Sequence, residues 1–298
     1  MKALVTGATG FIGQELIKRL DAPVALTRNP DGAAARGLGV RTMAWEPAAG
    51  PPPVTAFEGV DTIFHLAGDP VAKGRWTRAK KSRIRSSRVD GTRHLVDALA
   101  AMEKRPSCLV SASAVGYYGD GGEEILDETS SADGSFLAEV CQAWEQEALR
   151  GEDHGIRVVT VRTGIVLGAG GGALDSMLPP FKLGLGGRLG NGRQWMPWIH
   201  ITDLISLMLH AADHKDMRGA VNGVSPNPVT NRDFTAALAG TLRRPALFPA
   251  PGLILRLALG EFAVVLLASQ RVVPTMATQS GFEFQYPKLE GALAEILE

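Results

Sequence analysis

The stretch Val5-Thr6-Gly7-Ala8-Thr9-Gly10-Phe11-Ile12-Gly13 decides the fold of this 298-residue chain. It follows an apolar run and opens a segment whose apolar residues recur at helical spacing, so the predicted order is strand, glycine-rich turn and helix. In that context the glycines indicate dinucleotide binding. Gly7 permits the tight turn, Gly10 lets the backbone approach a pyrophosphate, and Gly13 lets helix and strand pack closely. The pyrophosphate is expected on the free amides at the helix N-terminus, although the G-x-x-G-x-x-G spacing shifts the first glycine from its commonest position.

The composition is that of a globular chain without a dominant charge. Lys+Arg and Asp+Glu both number 31, so no overall field attracts nucleic acid or a membrane surface. Cys108 and Cys141 are too few for a disulfide framework and lack metal-ligand partners at short spacing, which predicts no metal site. No secretory leader precedes the first strand, and the most apolar window, residues 253–268, is interrupted by charged residues and glycine. We expect a cytoplasmic protein.

Strand-length apolar runs alternate with helical patterns along the first half of the chain. The predicted strands are residues 3–6, 24–27, 40–44, 62–66, 108–112 and 158–161, and the predicted helices are 11–20, a weak one near 32–37, 78–102 and 136–151. This rhythm predicts an α/β fold, a Rossmann doubly wound parallel sheet with a small, mainly helical C-terminal region on the substrate side. We predict a dinucleotide-binding domain over 1–229, with substrate-side loops from about 164, and a small domain over 230–298.

The end of the second predicted strand favours one of the two nicotinamide cofactors. NAD-binding proteins typically carry an acidic residue there, whereas arginine accommodates the 2′-phosphate of NADP. Here the strand ends with Thr27 and Arg28, which offer a hydroxyl and a guanidinium but no carboxylate. The alternative is a solvated arginine in a loop. We predict NADP(H).

Several further segments resemble the extended short-chain dehydrogenase/reductases, the family of the nucleotide-sugar epimerases. They are FHLAG at 64–68, GTRHLV at 91–96, SAS at 111–113 and VRTGIVLG at 161–168. More narrowly, the chain resembles an atypical epimerase-like subgroup with a C-terminal domain of unknown function. Those marks are KGRWT at 73–77, SRVDGT at 87–92, FLAEVCQAWE at 136–145, WIHITDL at 198–204 and QRVVP at 270–274. The resemblance implies cofactor contacts from Gly7, Thr9, Gly10, Phe11, Ile12, Gly13, Thr27, Arg28, Leu66, Ala67, Gly68, Arg162 and Thr163.

The catalytic pair usual in the larger family is missing. Typical members use Tyr-x-x-x-Lys on the helix after the fifth strand, where the lysine lowers the pKa of the tyrosine that exchanges a proton. The resemblance places Leu137 at the tyrosine position and Cys141 at the lysine position. Of the family set only the serine, Ser113, survives, and Arg88 replaces an asparagine. Ser113, Cys141 and Arg88 are therefore the candidate catalytic residues.

Two interpretations of Cys141 remain open. It is either a small buried hydrophobic residue, the commonest state of a free cysteine, or a reactive group beside the nicotinamide whose thiolate Arg88 favours. Tyr117 and Tyr118 offer another acid, although a hydrophobic lid is the more ordinary role for them.

Other polar residues are weaker candidates. Most of the basic residues between 73 and 93 should form a solvated helix face, while Arg75 and Arg88 could bind an anionic group of the substrate. Trp198 is as well explained by strand packing as by a site, and His200 by structural hydrogen bonds. Thr202 is predicted to cap a helix.

Three functions follow, and they differ in what they require of the cleft. The first is an NADP(H)-dependent oxidoreductase of unknown small-molecule substrate, with an ordered cleft into which Ser113 points. The second is a cofactor-binding regulatory or interaction protein without turnover, a role suggested by a cell-division label in some relatives, with the cleft plugged by Tyr117 or Leu137. An active epimerase is third, because that chemistry depends on the absent tyrosine. The apolar helices near 249–268 should pack on the domain or form a homodimer face.

Overall fold

The protein, described here by a computed structural model covering residues 1–35 and 37–298, alternates strands and helices along most of its length. The strands are β1 Ala3–Thr6, β2 Val24–Thr27, β3 Arg41–Ala44, β4 Thr62–His65, β5 Cys108–Ala114, β6 Ile125–Leu126, β7 Arg157–Thr163, β8 Ile165–Leu167, β9 Trp195–Met196, β10 Trp198–His200, β11 Gly219–Gly223, β12 Val229–Thr230 and β13 Arg271–Val272. The helices are α1 Phe11–Ile17, α2 Pro30–Ala35, α3 Arg78–Ala100, α4 Phe136–Leu149, α5 Gly172–Lys182, α6 Ile201–Asp213, α7 Asn231–Thr241, α8 Gly252–Leu259, α9 Phe262–Leu267, α10 Thr275–Gln279 and α11 Leu289–Leu297.

Seven strands form one parallel sheet in the order β11-β7-β5-β4-β1-β2-β3. The chain reverses its direction of travel across the sheet between β1 and β4, and ligands of such sheets bind at the carboxyl ends of the strands at this point. The predicted doubly wound fold and its six strands are confirmed. The seventh, β11, was missed because its sequence GAVNG carries two glycines and an asparagine, which disfavour strands.

Both faces of the sheet are buried, as a parallel sheet requires. On one face Val5 packs with Leu16 of α1 and Leu204 of α6. On the other, Leu4 packs with Leu95 of α3. Neighbouring residues of a strand point to opposite faces of the sheet. Because both faces are buried, successive residues have to be apolar, which is why β1 follows a continuous apolar run. The stiff sheet between these two layers fixes the positions of the loops at its carboxyl edge.

A third core joins the substrate-side loops to the C-terminal region. Trp198 of β10 and Leu167 of β8 pack with Phe234 of α7 and Leu293 of α11. The predicted helical C-terminal region is thus present, and it shares its core with residues that precede position 229. The boundary between 229 and 230 stays a prediction, and this core crosses it.

Several helix ends differ from the predictions, and α3 and α4 each end two residues earlier than predicted. Helix α1 ends at Ile17 rather than Leu20, because the amides of residues 19 and 20 bond back only three residues and Ala22 has a φ of 43°. Helix α6 starts at Ile201, with His200 and not Thr202 as its N-cap, since Nδ1 of His200 accepts the Thr202 amide at 3.2 Å. The predicted helix at 32–37 appears as α2, and its residue 36 lies outside the described part of the chain.

Helices α8 and α9 stand apart from the three cores. None of the eight residues of α8, all described, is buried, and Leu253 and Leu257 are about 70% exposed. Among residues 1–35 and 37–298, no helix is both long enough and apolar enough to cross a membrane. The predicted homodimer face stays a prediction.

Candidate functional site

The glycine turn is shaped by close backbone contacts. Gly7 has a φ of +67°, and a Cβ there would lie 2.7 Å from the carbonyl carbon of Leu66 in the next loop. A Cβ on Gly13 would lie 2.4 Å from the Gly7 oxygen, so α1 can approach β1 only without a side chain at this position. Gly10 is exposed, and its Cβ would meet one atom, the Gly7 oxygen at 3.2 Å. Gly7 and Gly13 are therefore required by the fold, whereas Gly10 leaves room beside the first amides of α1.

A buried hydrogen-bond cluster ties the turn to the loop after β4. Thr6 Oγ1 accepts the amides of Leu66 and Ala67, both at 3.1 Å, and contacts Nδ1 of His65 at 2.8 Å. With both acceptor positions used, the Thr6 hydroxyl donates to Nδ1, so His65 carries its proton on Nε2, which lies 2.9 Å from Thr92 Oγ1. Burial lowers the pKa of His65 to about 4, so the ring is neutral.

The end of β2 presents the groups expected for a 2′-phosphate. Arg28 is exposed, and the Thr27 hydroxyl accepts the Asn29 amide at 3.4 Å. Residues 24–28 are all described and include no carboxylate. A negatively charged ligand therefore meets a free guanidinium and no local repulsion from this strand.

A second glycine cluster, not anticipated as part of the site, closes over the turn. A Cβ on Gly168, Gly171 or Gly172 would lie 2.4–3.0 Å from the ring of Phe11. The Phe11 ring thus packs into a loop made of glycines, which joins the substrate-side segment to the start of α1. The sequence signal is the GAGGG run at 168–172, which by itself indicates only an irregular loop.

The centre of the carboxyl edge is a buried ion pair between α4 and β7. Arg162 donates from Nε and Nη2 to the two oxygens of Glu145, at 2.9 and 2.8 Å, and both side chains are buried. Ser113, which pairs in register with Arg162 across β5 and β7, donates to the same carboxylate at 2.6 Å. A serine has a single hydroxyl proton, so Ser113 in this arrangement has none to offer a substrate.

This network extends to the tyrosines after β5. Nη1 of Arg162 donates to the Tyr118 hydroxyl at 3.0 Å, and that hydroxyl donates to Asn222 at 2.7 Å. The Tyr117 ring stacks on the Arg162 guanidinium, 3.4 Å from ring centroid to Cζ. Burial raises the pKa of Tyr118 to about 12, although Arg162 acts in the opposite direction. Both tyrosines hold Arg162 in place, and the hydroxyl proton of Tyr118 is engaged with Asn222.

Arg162 was predicted to contact the cofactor, but its side chain donates its hydrogen bonds to other groups of the protein. Nε, Nη1 and Nη2 all donate to neighbouring protein groups. No role was predicted for Glu145, which accepts the hydrogen bonds from Nε and Nη2. The available signal was its position on α4, four residues after Cys141 and one after Trp144, on the face that the apolar residues define as buried.

Cys141 lies in the wall of a cavity at this edge and keeps its proton. Burial raises its pKa to about 12, the Glu145 carboxylate adds to the rise, and Arg88 acts in the opposite direction. Arg88 thus lowers the pKa of Cys141 as predicted, but the loss of hydration outweighs this one nearby positive charge, and the reactive role of Cys141 stays a prediction. Ser113, whose hydroxyl proton goes to Glu145, lies beside Cys141.

Arg88 is positioned by backbone groups and by a missing side chain. Its Nη1 donates to the carbonyls of Asp69 and Ile84 at 3.0 and 3.2 Å, and its guanidinium lies 5.1 Å from the Trp144 ring. A Cβ on Gly68 would lie 3.0 Å from Cζ of Arg88. Gly68 thus serves the placement of Arg88, a role that was not predicted for it.

The cavity has a volume of about 510 Å³, within the range of small-molecule sites. Its inner wall includes Arg88, Cys141, Leu137 and Thr163, and its outer wall comes from α9. Tyr117, Tyr118 and Ser113 are not among the residues that line it, and the expectation that Ser113 points into the cleft is wrong because its hydroxyl donates to buried Glu145. Leu137 borders the space without filling it, so the plugged cleft expected of a regulator is absent from the described part of this site.

The remaining candidate residues divide into one that lines the cavity and others with structural contacts. Trp195 lines the cavity, whereas Trp198 is fully buried and donates to the Asn227 carbonyl at 3.1 Å, as the packing interpretation predicts. His200 bonds to Glu295 at 2.9 Å and caps α6, which is a structural role. Lys80 is one of the basic residues between 73 and 93, and it is buried against Asp69 and the Pro70 carbonyl rather than solvated.

Arg75 was a candidate for binding an anionic substrate. Its Nη2 donates to the carbonyl of Leu257 at 2.8 Å, so it joins the loop after β4 to α8. Lys81 forms an ion pair with Glu261, and the Trp76 ring lies 5.9 Å from that of Phe262. These contacts hold the α8–α9 pair over the cavity.

The parallel strand order and a glycine turn at the point of reversal define a Rossmann-type α/β protein. The model of the NAD dependent epimerase/dehydratase family matches residues 3–222, and that of a domain of unknown function, DUF1731, matches residues 250–296. The chain belongs to the NAD dependent epimerase/dehydratase family. The resemblance drawn from the motifs is confirmed, including its C-terminal domain.

Similar proteins occur in distant organisms. The epimerase family protein SDR39U1 homolog, chloroplastic, of Arabidopsis thaliana is 39% identical over 100% of this chain and 87% of its own length. Epimerase family protein YfhF of Bacillus subtilis is 36% identical over 100% of this chain and 98% of its own. The crystal structure of human epimerase family protein SDR39U1 with NADPH is 34% identical, covers 99% of each chain and has a TM-score of 0.89. UDP-glucuronic acid 4-epimerase from Bacillus cereus shares the fold at 16% identity, with a TM-score of 0.79.

Proposed function

We propose that this protein is an NADP(H)-dependent oxidoreductase that acts on a small molecule bound in the cavity, without the usual tyrosine and lysine. The observation that carries the proposal is the open cavity at the carboxyl edge of the sheet, where Arg88 and Cys141 share one wall. The structure of the human relative with NADPH supports the cofactor.

The residues of the glycine turn fit a dinucleotide. Gly10 provides room for a pyrophosphate beside the amides of Phe11 and Ile12, which a helix leaves without partners in its first turn. Arg28 would pair with the 2′-phosphate, with Thr27 adding a hydrogen bond. Leu66, Ala67 and Thr163 would form the walls around the cofactor.

When bound, NADPH supplies a hydride to a carbonyl carbon of the substrate, and the carbonyl oxygen then needs stabilisation and a proton. Arg88 would stabilise the developing negative charge, because it is fixed by two carbonyl acceptors and lines the cavity. Cys141 would donate the proton, since burial keeps it a thiol, and the thiolate left behind would draw a proton from solvent. Ser113, whose hydroxyl is held by Glu145, would position Cys141 rather than touch the substrate.

The test is turnover by the full-length protein. Purified protein is titrated with NADPH by fluorescence and then assayed for NADPH oxidation against carbonyl compounds. We expect micromolar binding of NADPH, and a loss of about 100-fold in kcat on Arg88→Gln, as for other oxyanion-stabilising groups. Arg85→Gln, an exposed change on the same helix, should leave kcat unchanged.

Cys141 has a matched control in Cys108, the other buried free thiol, at the amino end of β5. Cys141→Ala should lower kcat while Cys108→Ala does not. Equal activity of both variants would return Cys141 to a packing role. If NADPH binds but no carbonyl compound oxidises it, the cofactor-binding regulator becomes the better account.

A further inference from the structure

We infer that the substrate of this site is a predominantly apolar, uncharged carbonyl compound and not a nucleotide sugar. The inference rests on the proposed function, since it concerns the part of the cavity beyond Arg88 and Cys141.

The cavity is walled by aromatic and aliphatic side chains from five separate segments. They are Trp76, Phe136, Met177, Trp195, Phe262 and Leu266. Polar groups with free hydrogen-bonding capacity are sparse there, because the Trp76 indole donates to the Val71 carbonyl at 2.9 Å and Gln270 Nε2 donates to the carbonyls of Val115 and Gly119 at 2.8 Å. A ligand in this space gains mainly from burial of apolar surface, at about 25 cal/mol per Å².

The charges around the cavity oppose an anion. Of the described residues that line it, only Arg88 is positively charged, whereas Asp120, Asp133 and Glu261 are carboxylates. The carboxylates have structural partners: Asp120 accepts the Ser269 amide at 3.0 Å, and Glu261 pairs with Lys81. Asp120 therefore stays in place and adds a negative field to the rim, whereas Lys81 offsets the charge of Glu261.

A nucleotide sugar carries a diphosphate, and its burial is costly unless cations and hydrogen bonds compensate. Arg88, which the reaction needs at the carbonyl oxygen, is the one cation among the described lining residues. Arg75 donates to the Leu257 carbonyl, and Arg271 stacks on the Trp195 ring at 4.6 Å without lining the cavity. A single uncharged carbonyl matches this arrangement: its oxygen meets Arg88 and the rest of the molecule meets hydrocarbon.

The outer wall that imposes this preference comes from the C-terminal region. Phe262 and Leu266 of α9 face the cavity, while Leu253 on the neighbouring α8 is 69% exposed and does not line it. Leu266 and Leu253 offer a matched test, since a charge at position 266 enters the cavity and a charge at position 253 enters solvent.

The experiment measures binding of the neutral fluorophore N-phenyl-1-naphthylamine to the protein saturated with NADP⁺, with UDP-glucose as competitor. We expect binding that Leu266→Glu weakens by at least about tenfold, while Leu253→Glu changes it by less than about twofold. UDP-glucose at millimolar concentration should not displace the fluorophore. Met177→Gln, which places an amide in the cavity without a charge, provides a second variant should Leu266→Glu fail to fold.

Displacement by UDP-glucose would overturn the inference, and so would equal binding to the wild type and to both cavity variants. A loss of binding on Leu253→Glu would locate the fluorophore on the outside of α8, which also contradicts it. NADPH binding is titrated separately on each variant. Failure to bind NADPH counts against the proposed function, whereas NADPH binding without fluorophore binding counts only against the apolar substrate.

Discussion

The two ends of the proposed cleft are built in different ways. At the cofactor end, Gly7 and Gly13 contact backbone atoms of the turn and of the neighbouring loop, and the shape follows from the absence of side chains. The other end, called the reaction end here, is the buried cluster next to Cys141. Its residues Ser113, Glu145 and Arg162 come from three elements and meet only because β5, β7 and α4 pack together. The first end is specified by backbone sterics and the second by long-range pairing of side chains, so a motif can reveal the first and not the second.

The largest expected effect comes from breaking the reaction end. Glu145→Ala removes the carboxylate that neutralises buried Arg162, and leaving such a charge unpaired should cost about 3–5 kcal/mol of unfolding free energy. Urea unfolding of both proteins measures it. Glu147→Ala, on the same helix but in exposed ion pairs with Arg93 and Arg150, should cost under about 1 kcal/mol. Similar losses for the two variants would contradict a special role for the Glu145–Arg162 pair.

The second effect belongs to the cofactor end and depends on pH. Above pH 6.5 His65 is neutral in both states, but below it the unfolded chain takes a proton that the folded protein does not bind until about pH 4, the lowered pKa of this buried ring. Stability should therefore fall by up to about 3 kcal/mol as the pH drops from 6.5 to 4, because each pH unit in this window contributes about 1.4 kcal/mol. In His65→Gln this part of the pH dependence should vanish, as unfolding titrations across the window would reveal. An unchanged slope would mean that His65 is protonated in the folded protein.

The third effect sharpens the assignment of the cofactor. Arg28→Ala should weaken NADPH binding by about 1.5–3 kcal/mol, the value of a hydrogen bond to a charged group, and leave NADH binding unchanged. Fluorescence titration with both nucleotides makes the comparison, with Arg19→Ala, an exposed change after α1, as control. Equal weakening of both nucleotides would place Arg28 elsewhere than at the 2′-phosphate.

The smallest effect separates two glycines three residues apart. Gly13→Ala forces a Cβ against the Gly7 oxygen and should cost about 1–3 kcal/mol of stability. In Gly10→Ala the new Cβ would contact only the Gly7 oxygen, at 3.2 Å, so this variant should fold normally while binding NADPH more weakly. Thermal unfolding and NADPH titration distinguish the two. If Gly10→Ala destabilises as much as Gly13→Ala, the space beside Gly10 is not reserved for a ligand.

Much of the fold could be predicted, and the site only in part. The runs at 3–6 and 24–27 appear with the predicted bounds, because apolar continuity and flanking glycine or proline mark short buried strands well. Strand β11 and the His200 cap were missed, since one lacks strand residues and the other uses a side chain outside the usual capping set. Ser113 and Cys141 were predicted as catalytic residues, and the structure brings both to the carboxyl edge. That role stays a prediction, because their hydrogen bonds and protonation depend on Glu145, which ends the segment at 136–145 without any sign there of its partners.

The sequence by itself determined the first six strands of the sheet and the glycine turn, because a positive φ at Gly7 and a contact too close for a Cβ at Gly13 depend on the residue type. Only the tertiary structure decided where the proton of Ser113 goes, that Cys141 stays a thiol, and that α9 walls an apolar cavity. These depend on hydration and on partners far apart in the chain, such as Arg162 with Glu145 and Arg75 with Leu257, which meet only when the sheet and the C-terminal region have assembled.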